Sequence, residues 1–482
     1  MRSLLVFAAA GAIIGGAVPL AAATLQADSG GPYRAYLVSD RDAGPAGAEH
    51  AAGEIRSLGG RVAVEYREIG VVLAYSDQRD FGARIRSGDG IAAAGASRTA
   101  TTPVAPRQEA DDAAGADDAG DDGVPLVPDP HERPSWNLGM LQRRPAAAGT
   151  GSADTAPRTP APGVLSRVTV AVLDAGVDDT HPDLRSAVDP AASADCGSGA
   201  PDSSPGAWRP DPDVIESGHG THVAGIIGAA RNGDGVTGVA PGVRIAAVRL
   251  LGPSGQYYGE NLVCGFLWAA AHHVRVINDS YFADPWKYNC PSDPDQRAII
   301  TAVGRAVAYA QRSGALVVAS AGNDAQDLDA GRVDERSPND RSGNSAAPVR
   351  YLGPDCIRLP GQLPGVLDVS AVDRDGRLAA YSNWGAGRIG IAAPGGDPDG
   401  GPDQGVVSDW PGGRYASLAG TSMATAHVTG AAAIAAALHP GAGPAELRAL
   451  LARAAAPVDC AGPEARCAGS AFYGSGALRI PK

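Results

Sequence analysis

Lysine is almost missing from this 482-residue chain, which carries only Lys287 and Lys482. Its other basic residues are arginines that form no visible patch, and the acidic excess leaves a formal charge of -13. Without clustered cations to release counterions from phosphates, nucleic acid is excluded as the expected partner. Aromatic residues make up only 5% of the chain, so the interior has to be built from Ala, Val, Ile and Leu, which suits a parallel sheet covered by helices. Beyond the N-terminus, no stretch reaches the ~20 uninterrupted apolar residues of a membrane span. The six cysteines include no Cys-x-x-Cys pair, which argues against a cysteine-built metal centre.

The first 23 residues do hold an apolar run. Arg2 precedes Leu4 to Ile14 and beyond, the run is broken by Gly11, Gly15, Gly16 and Pro19, and it closes on Ala21, Ala22 and Ala23. Those three parts make a secretory signal peptide over residues 1–23, removed on export, rather than an anchor. The protein is then expected to be secreted, extracellular and monomeric, with no membrane span left. Cysteines 196, 264, 290, 356, 460 and 467 form an even set in an exported chain, so disulfides are expected. Only Cys460 and Cys467 are close enough in sequence to suggest a pair.

At roughly 100 to 200 residues per domain, the length allows two or three units. Residues 33–100 read as strand, helix, two strands, helix and strand, a small βαββαβ unit without a recognisable catalytic cluster. Residues 101–134 shift to Ala, Gly, Pro and Asp, including EADDAAGADDAGDD at 109–122, with too little apolar surface to fold. From 135 to 482 apolar strands alternate with helical patterns, predicting an α/β domain with a mostly parallel sheet covered on both faces.

Three motifs carry chemistry. Strand SRVTVAVLD ends on Asp174, at the sheet edge where α/β sites form. SGHGTHVAG places His219 at a helix start among glycines that let backbone crowd its ring, and His222 three residues on. The HGTH spacing lacks the intervening Glu of metalloprotease helices, so His222 is expected to be a packed histidine. LAGTSMATAHVTG opens a long Ala-rich helix with Ser422, Gly420 supplying a tight turn. Taken singly, these are a turn aspartate, a packed histidine and a helix N-cap. A serine at a helix start also gains from free N–H groups that stabilise developing negative charge.

In the order Asp, His, Ser, the motifs DAG, GHGTHVAG and GTSMATAHVTG resemble the signatures of the subtilisin (subtilase) family. The resemblance runs over about residues 165–480 and implies a serine endopeptidase with Asp174, His219 and Ser422 as its triad. It further implies an oxyanion hole from Asn323 and the Ser422 N–H. Extended protein or peptide substrate would lie between Ser254, Gly255, Gln256 and Tyr257 on one side and Ser280, Tyr281 and Phe282 on the other, with Ala321 and Gly322 walling a specificity pocket. The βαββαβ unit resembles the family's propeptide, an intramolecular inhibitor and folding chaperone, and WNLGML at 136–141 resembles a mature start. Cleavage is therefore expected between Thr99 and Pro134.

The chain departs from the family at Ala175, where Ser or Thr is usual, at Ala426, where Pro is usual, and in a charged insertion at 324–355. That insertion is either a surface loop or a selector of substrates. No cofactor is needed for the chemistry. Asp183 and Asn232 fall where the family often binds a structural Ca²⁺, although such residues in Gly-rich loops also serve as turn formers. The alternative function is an inactive subtilase-fold binding protein, which usually lacks a triad member.

Overall fold

The computed structural model describes residues 32–101, 125–126, 135–142, 160–341, 346–458 and 469–481. The expected signal segment at 1–23, the acidic run at 109–122 and the Cys460–Cys467 pair lie outside them.

The N-terminal pattern folds as read, into β1 (Arg34–Asp40), α1 (Pro45–Ser57), β2 (Arg61–Tyr66), β3 (Val71–Ser76), α2 (Phe81–Arg86) and β4 (Ile91–Ala96). The strands form one antiparallel sheet in the order β2-β3-β1-β4. Side chains alternate across a strand, so Tyr36, Val38, Val72 and Ala74 meet α1 and α2 in a small core. Ala35, Leu37, Val71 and Leu73 point the other way and join a core of the larger domain.

That domain is built on a seven-stranded sheet. Its strands are β5 (Thr169–Asp174), β6 (Ala194–Asp195), β7 (Arg244–Arg249), β8 (Val276–Asp279), β9 (Leu316–Ser320), β10 (Leu367–Val372) and β11 (Ile391–Pro394). They run parallel in the order β11-β10-β9-β8-β5-β7-β6. Both faces are covered, as the near-continuous apolar strands require. Val170 and Val172 of β5 pack with α3 (His219–Gly228) and α6 (Thr421–Leu438). Ala171 and Leu173 pack with α4 (Gly259–Ala271) and α5 (Pro294–Arg312).

Helix α6 is long and apolar enough to cross a membrane, but 89% of that stretch is buried inside the protein. A helix apolar all round is a core helix when protein surrounds it. A hairpin of β12 (Val406–Trp410) and β13 (Arg414–Leu418) lies outside the main sheet, and Pro125–Leu126 adds an antiparallel strand to β13. The stretch read as a structureless linker therefore contributes one ordered pairing. Disulfides join Cys196 to Cys264 and Cys290 to Cys356.

Gly430 in α6 is a packing requirement, since a Cβ there would lie 2.6 Å from Val239 Cβ. Helix propensity alone would favour Gly430→Ala by about 1 kcal/mol, against overpacking costs of about 1–3 kcal/mol. We expect overpacking to prevail and the melting temperature of a Ser422→Ala, Gly430→Ala protein to fall below that of Ser422→Ala alone. An equal or higher value would show that Val239 moves aside freely.

Candidate active site

Asp174 ends the central strand β5 and His219 begins α3, as expected. The His219 ring nitrogen Nδ1 lies 2.9 Å from Asp174 Oδ1 and 3.1 Å from Oδ2, with both side chains fully buried. The Ala175 N–H also donates to Asp174 Oδ1 at 2.7 Å, so backbone serves the carboxylate beside the missing hydroxyl. Close approach depends on glycine: a Cβ on Gly220 would lie 2.3 Å from the Gly176 carbonyl oxygen and 2.9 Å from Asp174 Oδ1. Gly176 itself has φ 115°, a conformation that favours glycine.

Ser422 lies in the first turn of α6 and donates its hydroxyl to the Ser280 carbonyl at 3.1 Å. Tyr281, the next residue, sets its ring edge-on to His219 at 4.6 Å between centroids. Residues 280 and 281 thus touch both the serine and the histidine. Gly420 does not make the expected tight turn; its φ of 166° is extended backbone open to any residue.

Asn323 follows β9, and its amide oxygen accepts from the Thr421 N–H at 2.9 Å and the Thr421 hydroxyl at 2.8 Å. Holding the oxygen this way turns the NH₂ group to the opposite side. Thr421 also accepts from the Gly322 N–H, clamping the Asn323 loop to the residue before Ser422. Sequence reasoning missed this clamp, although its signal was the threonine of GTS.

The two predicted substrate-binding segments meet. Tyr257 stacks on Tyr281 at 3.8 Å, and the Asp284 N–H donates to the Tyr257 carbonyl at 2.9 Å. Behind the Ala321 and Gly322 wall, a Cβ on Gly322 would lie 3.2 Å from the Arg358 guanidinium, which is itself 4.8 Å over the Phe282 ring. The buried Arg358 side chain thus packs against both Gly322 and Phe282, a contact that local sequence pattern does not reveal. Asp279, at the end of β8, is buried, and burial together with the nearby Asp174 charge pushes its pKa up to about 8 although the Tyr281 N–H opposes this. Burial thus favours the protonated, neutral form of Asp279 near neutral pH.

Asp183 and Asn232 come together, but not as a cation cage. The Asn232 amide nitrogen donates to Asp183 Oδ1 at 2.7 Å, while Oδ2 accepts from the Val236 N–H and the Tyr415 hydroxyl. With donors on both oxygens, this arrangement does not fit the expected Ca²⁺. His181, Asp183 and Asp409 also cluster, with potential ligand atoms within 4.8 Å of one another. Burial, and then Asp183, holds the Asp409 carboxyl well above the usual range, favouring a proton between the two acids.

The chain resembles known proteins in both sequence and fold. The model of the subtilase family matches residues 166–476. Subtilisin Savinase of Lederbergia lenta is 35% identical over 269 residues, covering 56% of this chain and 76% of its own. An alkaline protease of Alkalihalobacillus alcalophilus is also 35% identical, over 54% of its length; the chain spans between about half and three quarters of such relatives. Among solved structures, the epidermin leader peptide processing serine protease of Staphylococcus aureus superposes with TM-score 0.63 at 20% identity, covering 93% of this chain and 98% of that one. Fervidolysin of Fervidobacterium pennivorans gives TM-score 0.60 at 21% identity over 93% and 61%. These structural likenesses show the fold.

Two buried histidines near the site set an acid limit. His222 bonds to the Val406 and Ala416 carbonyls as a packed residue, and burial followed by the His219 charge lowers its pKa to about 3. His427 sits between the Met423 carbonyl and the Asn137 amide, and burial lowers its pKa to about 4. Both lie below the ordinary 6.5, so their neutral forms stabilise the fold above that pH, and the stabilisation is lost as pH falls toward 4 and 3. At 1.36 kcal/mol per unit, each contributes about 2 kcal/mol of the loss between pH 7 and pH 5. Denaturant unfolding of the Ser422→Ala protein should show this fall, and His427→Gln should flatten it; parallel pH profiles would refute the assignment.

Proposed function

The chain belongs to the subtilase family of serine endopeptidases, and we propose that it is an exported proenzyme that hydrolyses peptide bonds in extended protein segments. The observation that carries this reading is the fully buried Asp174–His219 bond; the Tyr281 ring beside His219 follows Ser280, whose carbonyl receives the Ser422 hydroxyl, and Asn323 is held to Thr421 next to that serine.

In the proposed cycle Ser422 Oγ attacks the scissile carbonyl while His219 takes its proton and passes it to the leaving amine. Asp174 keeps Nδ1 protonated and stabilises the imidazolium. The tetrahedral oxyanion receives hydrogen bonds from the Ser422 N–H at the start of α6 and from the Asn323 NH₂ group. An acyl-enzyme on Ser422 results, and water activated by His219 then releases the second product. The inactive-scaffold alternative loses ground because Asp174, His219, Asn323 and Ser422 are all present.

The unit at 33–100 is proposed as the removable inhibitor. Support comes from its sheet face, which packs into the core around α4 and α5, and from its anchors: Tyr66 donates to the Gly199 carbonyl at 2.7 Å, and Arg305 to those of Ile69 and Gly70. Export is supported by the N-terminal sequence pattern and by two disulfides suited to an oxidising compartment.

Ser422→Ala should leave the full chain uncut and unable to digest denatured casein, whereas the natural chain sheds its N-terminal unit and digests it. Equal processing in both would sink the triad. Asn323→Ala should lower kcat ~100- to 1,000-fold with little change in KM, a magnitude taken from the equivalent donor of subtilisin itself. An unaltered kcat would remove Asn323 from the oxyanion hole.

A further inference from the structure

After β4 the chain leaves the N-terminal sheet and crosses to the large domain. The Ser97 N–H still donates to the Ala35 carbonyl at 3.0 Å, the last link to its own sheet. Arg98 then turns inward. Its Nε and one terminal nitrogen each lie 2.7 Å from Glu260 Oε1, and its guanidinium lies 4.1 Å over the Tyr258 ring. Arg98 is 9% exposed and Glu260 not at all. Thr99 and Ala100 come next, and both backbone N–H groups, with the Thr99 hydroxyl, bond to the Asp340 carboxylate of the charged insertion.

This is how a peptide is gripped. Asp340 holds backbone, which any sequence offers, whereas Glu260 and Tyr258 hold one side chain by its charge and its plane. A guanidinium combines both contacts; the compact ammonium of lysine supplies only the charge well. The place is equally specific. Glu260 lies in the first turn of α4, directly after the predicted substrate segment ending at Tyr257, and Tyr257 reaches His219 through the stacked ring of Tyr281. Among the described residues Glu260 Oε2 has no hydrogen-bond partner. Once residues 33–100 leave, the Glu260 carboxylate and the Tyr258 face open with their cation removed, and a segment that covers them again has to bring a cation in place of the water it displaces.

We propose that Glu260 and Tyr258 form an arginine-selective substrate subsite, with Arg98 as the chain's own occupant, so that the enzyme prefers protein segments carrying arginine a few residues before the scissile bond. This rests on the peptidase reading above and adds the substrate class.

The test digests a denatured protein mixture of known sequences with the matured enzyme, and reads by mass spectrometry the residues before each cut. Arginine should be enriched about tenfold at one fixed position, the ratio expected of one added charge-assisted contact, with lysine enriched less. Glu260→Gln should bring that enrichment close to one, and Glu260→Asp, with charge kept but reach shortened, should fall between. Abundant cuts by the natural enzyme with no arginine enrichment would overturn the proposal, whether or not the variants fold. Enrichment that persists unchanged in Glu260→Gln would overturn the role of Glu260. Failure of the natural enzyme to cut at all would instead refute the peptidase reading.

Discussion

A carboxylate cannot be taken wholly out of water unless donors replace the water it loses. Asp174 is fully buried, and its donors are the His219 ring and the Ala175 N–H. Much of the surrounding structure serves to keep those donors in reach. The carboxylate has to sit at the edge of a rigid strand, which β5 supplies near the middle of a parallel sheet. Helix α3 has to start against that edge, which Gly176 and Gly220 permit by having no Cβ to collide. Burial disfavours competing charge on the neighbouring groups, raising the Asp279 pKa and lowering that of His222 against the pull of its carbonyl partners. One anion in a dry pocket can then polarise one imidazole, in a setting where water does not screen the interaction.

The same rule explains the junction with the N-terminal unit. Arg98 and Glu260 are each too buried to be charged alone, and together they satisfy each other. Such a pair contributes little net stability, because desolvation offsets most of its attraction. Its effect would lie in specificity, since a neutral side chain covering Glu260 leaves the charge uncompensated and lysine meets the charge without the plane. On the proposed reading of residues 33–100 as an inhibitor, Arg98 would stand where a substrate side chain stands.

Legibility in the sequence divides along physical lines. Every main-sheet strand from Thr169 to Pro394 except the two-residue β6 was visible, because burial on both faces writes itself as continuous apolar runs. Asp174, His219 and Ser422 could be placed at a strand end and two helix starts from local pattern, whereas their roles, and Asn323 altogether, came from the family resemblance of the motifs. Partners far apart in sequence were not. Arg98 and Glu260 are 162 residues apart, and Thr99 and Asp340 are 241 apart; nothing in periodicity says that they meet. Arg358 stayed hidden for the same reason. At Asp183 and Asn232 the residue types were compatible with a cation, but the loop brought an amide N–H and a tyrosine hydroxyl to the carboxylate first.

The insertion at 324–355 shows why charge along a sequence is a poor guide to exposure. Its run of Asp and Arg reads as a solvated loop, yet Arg332, Asp334 and Asp340 are buried. Asp334 receives Arg350 at 2.8 Å, and the Arg332 guanidinium lies 4.6 Å over the Tyr288 ring. Lys287 at its base meets Asp324 at 2.5 Å, and Cys356 just beyond its end is tied to Cys290. Among the described residues of the insertion, Arg332, Asp334 and Asp340 each turn inward onto a partner. Asp340 in addition holds the backbone of Thr99 and Ala100, so this charge of the insertion meets peptide N–H groups rather than solvent.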